Sequence, residues 1–89
     1  MTTTRQERIE KAAIEWERAY AERDKAKAEL MRVYIKQERV YAKRDKRTNT
    51  EVGKINAEQS QAEADLRKAN AEMDRAEAAL QQAEAEPEN

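Results

Sequence analysis

The chain contains no cysteine and no histidine. The first absence excludes disulfides and thiolate metal sites. The second removes the commonest metal ligand and the side chain that most often works as a general base near neutral pH. Phenylalanine is also missing, and 89 residues hold one Gly, one Pro and one Trp. No apolar run exceeds three residues, which excludes a membrane-spanning helix and a signal-peptide core within this sequence. The expected compartment is the cytoplasm, of the producing cell or of a host.

Catalytic signatures are missing too. Ser60 is the lone serine and has no base to activate it. Gly53 stands alone, so there is no glycine-rich phosphate loop. The EF-hand, zinc and metalloprotease patterns are absent, and no Glu-x-x-His repeat offers a bundle-core metal site. Paired carboxylates such as Glu15 with Glu22, or Glu63 with Glu77, read as solvated charge. The chain is expected to be no enzyme, with no catalytic residues, no cofactor, no metal and no small-molecule substrate.

What is present is charge and alanine. Charged residues make up 42% of the chain, and Ala, Glu, Gln, Lys and Arg dominate, as in long helices and coiled coils. The net charge of −1 hides an asymmetry. Residues 1–47 carry 14 Lys/Arg against 9 Asp/Glu, and residues 48–89 carry 4 against 10. Halves of opposite sign favour lying side by side.

Periodicity decides between helix and disorder. In the second half, Val52, Ile55, Gln59, Ala62, Leu66, Ala69, Met73, Ala76, Leu80 and Ala83 keep 3–4 spacing without a skip. That is a coiled-coil seam of a and d positions. In the first half the same spacing runs through Ile9, Ala12, Trp16, Ala19, Arg23, Ala26, Leu30, Val33, Gln37 and Val40. The two frames differ by one residue, and the slip falls in "RTNTEV". There, Thr48 and Glu51 form a capping box, matched by Thr4 and Glu7 at the start of the first helix. Lys43, Arg44, Lys46 and Arg47 crowd the end of the first helix, where cations suit the dipole.

The fold class expected is all-α: an antiparallel two-helix coiled-coil hairpin. Helix one spans about 5–46, the turn about 47–49, and helix two about 49–85. Residues 1–86 form a single domain, and 87–89 form a disordered tail ended by Pro87. Each helix is roughly 60 Å long at 1.5 Å per residue. The alternative is one continuous helix of roughly 120 Å that absorbs the slip. If the chain reverses near Asn49 and Thr50, a faces d across the seam. Ala26 then meets Met73 and Leu30 meets Ala69, large against small, while Gln37 falls opposite Ala62 with room to reach water. Arg23 falls opposite Ala76, with room to reach water. On the flanks Lys36 meets Asp65.

An alanine-rich seam buries little area, so a lone hairpin is marginal at about 25 cal/mol per Å². Dimerisation into a four-helix bundle is the expected remedy. The adhesive surface is read on helix one, away from its seam: Ile14, Tyr20, Met31, Tyr34, Ile35 and Tyr41. The three tyrosines flank the seam and could equally pack on the chain's own second helix; Ile14, Met31 and Ile35 lie beyond its reach. Helix two has Ala at each position opposite its seam (57, 64, 71, 78 and 85); that fits a second seam, or simply a good helix former on an exposed face.

These readings predict a protein–protein interaction module: an adaptor, a scaffold or a small inhibitor of a larger protein. Its partners would be itself, as a homodimer, and an unidentified protein. The alternative is a nucleic-acid-binding hairpin. Residues 36–47 carry six Lys/Arg (Lys36, Arg39, Lys43, Arg44, Lys46, Arg47) and Tyr41, which suits phosphate tracking and base stacking. A membrane surface fits less well, since the apolar face lacks the large residues of an interfacial helix.

Overall fold

A computed structural model describes residues 4–42 and 49–87. Helix α1 spans Arg5–Ala42 and helix α2 spans Asn49–Ala85; there is no strand among the described residues. The helices lie antiparallel along their length in a particle 68 × 19 × 14 Å. The length is that of one helix, so the chain is a hairpin and no continuous rod. Residues 43–48, where the turn and the capping box at Thr48 were expected, lie outside the described residues.

Local signals account for the ends. The Thr4 hydroxyl accepts from the Glu7 backbone N–H at 3.1 Å, an N-cap that satisfies one of the first free donors of α1. At the far end of α2 the last turn has no basic residue. The cation comes from α1 instead. Arg5 donates to the backbone carbonyls of Glu84 (2.6 Å) and Glu86 (3.0 Å), and Arg8 pairs with the Glu86 carboxylate at 3.0 Å. One helix thus caps the other, and the dipole of α2 meets positive charge where its carbonyls run out of partners.

All twenty seam residues are buried or half-buried, and the core is one side chain thick. Ile55 is 3% exposed and Val33 6%. They cluster with Ala62, and Leu30 and Val40 pack around them. Alanines make up the rest of the buried set: Ala12, Ala69 and Ala83.

The axial register differs from the expectation by about one helical turn. Gln37 donates to Gln59, not to a space beside Ala62. Ala26 and Ala69 line one cleft between the helices, Val40 and Ile55 a second, and Ala12 and Ala83 a third. Like positions therefore face each other, a against a and d against d. On the flank Lys36 pairs with Glu58 at 3.2 Å instead of Asp65. The physical reason lies in the polar seam residues. The expected register sets each glutamine amide against an alkyl group. The observed one joins them: Gln37 also donates to Asn56 at 3.2 Å, and Gln59 donates to Glu63 at 2.8 Å. An unpaired amide between helices costs more than imperfect large-on-small packing.

Candidate functional surface

The geometry offers surfaces before it offers pockets. The clefts are shallow grooves between or along the helices, and one between them is walled by Glu22, Lys25, Glu29, Asp65, Lys68 and Glu72 over three alanines. Among the described residues no group of three or more acidic side chains is placed to hold a metal ion. No helix there is long and apolar enough to cross a membrane.

The large apolar side chains left exposed are Ile14, Tyr20, Met31, Tyr34, Ile35 and Tyr41. All six lie on α1. With Ile9 as heptad position a, the tyrosines occupy e, Met31 occupies b, and Ile14 and Ile35 occupy f. At 100° per residue the order around the helix is a, e, b, f, so the six lie on one side of α1 between the seam and the back, joined across the otherwise acidic b column at Met31. Met31, Tyr34 and Ile35 stand at i, i+3 and i+4, the spacing that makes helical side chains neighbours. Met31 is 58% exposed, Ile14 56% and Ile35 50%. α2 covers none of these three.

The tyrosines are half engaged by the hairpin. Tyr41 donates its hydroxyl to Asn56 at 2.7 Å, and Tyr34 reaches the Glu63 carboxylate at 3.5 Å. The two residues stay 40% and 37% exposed, with their hydroxyls tethered. Tyr20 is held differently. Its ring lies 5.4 Å from that of Trp16 at 40°, and the Arg23 guanidinium sits 4.6 Å above it. Arg23 therefore does not extend to water beside Ala76. It folds back over its own helix, where the ring face attracts the cation, and its Nη2 stands 3.7 Å from Asp24. The Arg23 Nε is buried without a hydrogen-bond partner.

For the nucleic-acid alternative, Lys36 is tied to Glu58 and Arg39 is exposed. Lys43, Arg44, Lys46 and Arg47 lie outside the described residues. The residues that sequence reasoning overlooked are Arg5 and Arg8, which bridge the two helix ends. The signal was available: an acidic "EAEPE" at the end of α2, and two arginines in the first turn of α1.

No protein-family model matches the chain, and no curated protein or solved structure resembles it significantly.

Proposed function

We propose that this hairpin is a protein–protein interaction module that works through the apolar stripe of α1, and that it self-associates as a homodimer of four helices. The observation that carries the reading is the concentration on one helix of every exposed large apolar side chain among the described residues. The chain's own seam makes a poor core, since no large side chain is fully buried. Its accessible surface is 7112 Å², against about 5,400 Å² for a compact monomer of its mass. The elongated shape accounts for part of the excess, which is about twice the roughly 800 Å² that a standard interface covers on each partner. Aromatic and Met side chains are the types enriched at the centres of such interfaces.

In this reading the module is an adaptor, a scaffold or a small inhibitor that occludes a larger protein, and it acts in the cytoplasm. Tyr34 and Tyr41, with the exposed part of Tyr20, are the anchors for that partner. The test is the double substitution Met31→Glu with Ile35→Glu, measured by light scattering on a size-exclusion column and by circular dichroism. The parent should run at a multiple of 10.3 kDa, and the variant at one chain mass with its helicity kept. A variant with the parent's mass would refute the assignment of this surface.

A further inference from the structure

The charged columns beside the stripe say how a second copy would sit, and this inference rests on the self-association proposed above. Directly opposite the seam of α1, position f holds Ile14, Ala21, Ala28, Ile35 and Ala42. All five are exposed. One flank of this column, position b, is acidic at Glu10, Glu17, Asp24 and Glu38. The other flank, position c, is basic at Lys11, Arg18, Lys25, Arg32 and Arg39. Every one of these charges is exposed. Glu17, Glu38, Lys11, Arg18, Lys25 and Arg39 make no ion pair with another described residue.

An apolar column between an acidic and a basic one is self-complementary in a single orientation. When two helices run antiparallel, like columns meet. The hairpin itself demonstrates this, with e against e in Tyr41–Asn56 and g against g in Lys36–Glu58. An antiparallel pairing of two α1 helices through f would set acid on acid and base on base. A parallel pairing about a two-fold along the helix axis exchanges the flanks. Glu17 then faces Arg18 of the other copy, Asp24 faces Lys25, and Glu38 faces Arg39, on both sides of the seam.

We infer that the occupant of the f column is a second copy of this chain, bound with the two α1 helices parallel and in register. The alternative of a square bundle uses the e and b columns of α1, and would bury Glu17 and Glu38 without partners. Pairing through f instead gives a flat layer in the order α2, α1, α1, α2. Ile14 and Ile35 close on their own counterparts, the alanines between them allow close approach, and the tyrosine faces stay free for the partner protein.

The absence of cysteine makes the test clean. The single variants Ala21→Cys and Ala42→Cys place one thiol each, about 32 Å apart along the helix. Each is incubated in a glutathione redox buffer, alone and mixed with the other, and analysed by mass. The expected result is a disulfide-linked dimer from each variant alone and no cross-link between the two kinds. A charge variant, Glu17→Lys with Asp24→Lys and Glu38→Lys, should weaken self-association about tenfold or more. Mixing it with Arg18→Glu/Lys25→Glu/Arg39→Glu should restore a heterodimer. If uncross-linked parent is a monomer, the underlying self-association reading falls, and the stripe belongs to a different protein. If it is a dimer whose thiols link only in the mixture, or not at all, the parallel arrangement falls and self-association stands.

Discussion

Replacing Ile55 with Ala tests where the stability of this hairpin resides. Ile55 is 3% exposed and joins Val33 and Ala62 at the best-packed point of the seam. The change removes three carbons, about 2.4 kcal/mol at 0.8 kcal/mol per buried carbon. The cavity term adds to this, but a core one layer thick collapses or admits water easily, which holds the cost near the low end of the usual 2–5 kcal/mol. Alanine returns about 0.4 kcal/mol as the better helix former. The net expectation is a loss of about 2–3 kcal/mol, or roughly 10–20 °C in melting temperature for a domain of this size. The control is Ile35→Ala, at a side chain 50% exposed. Within one hairpin it should shift stability by less than about 0.5 kcal/mol. Melting each variant by circular dichroism at low and high protein concentration separates the two kinds of burial. Ile55→Ala should lose stability at both; Ile35→Ala should lose it only where the protein associates. An Ile55→Ala shift under about 3 °C, or one no larger than that of Ile35→Ala at low concentration, would refute the placement of the core.

Three further outcomes are expected. Gly53 lies in the first turns of α2 with helical backbone and open space where a Cβ would stand, so Gly53→Ala should stabilise by about 0.5–1 kcal/mol in urea titration. Replacing Gln37 and Gln59 together with Leu should raise the denaturation midpoint while loosening the register, seen as a broadened distance distribution between spin labels on the two helices; Gln59→Ala alone should cost about 1 kcal/mol by removing one of the two acceptors of Gln37. Removing the clasp with Arg5→Ala should cost about 1 kcal/mol, and amide exchange should quicken at Glu84 and Glu86 while the middle of α2 is unchanged.

The faces of both helices were legible in the sequence, and their axial offset was not. The 3–4 spacing from Ile9 to Val40 and from Val52 to Ala83 names which side chains turn inward, because burial follows angle and angle follows residue number. Offset depends on a few side-chain contacts that a binary pattern does not weigh. Size matching pointed to Leu30 against Ala69, whereas amide satisfaction at Gln37 and Gln59 set the pairing. Arg23 escaped for a related reason. A polar residue at a seam position predicts a route to water, but the ring of Tyr20, three positions back on the same helix, offered a closer resting place. The six stripe residues could be named in advance because Ile14, Met31 and Ile35 sit where a single helix partner cannot reach.

The glutamine layer and its hydrophobic cluster also bias the order of assembly. Val40 and Ile55 are separated by a short stretch of chain, whereas Arg5 and Glu86 stand at opposite ends of it. Contacts across a short loop cost the least chain entropy to close, so the hairpin should zip from the Gln37–Gln59 end toward the arginine clasp. Opening runs in reverse. The termini then act as a latch that frays first, and a partner that grips the clasped end would slow unfolding without touching the core.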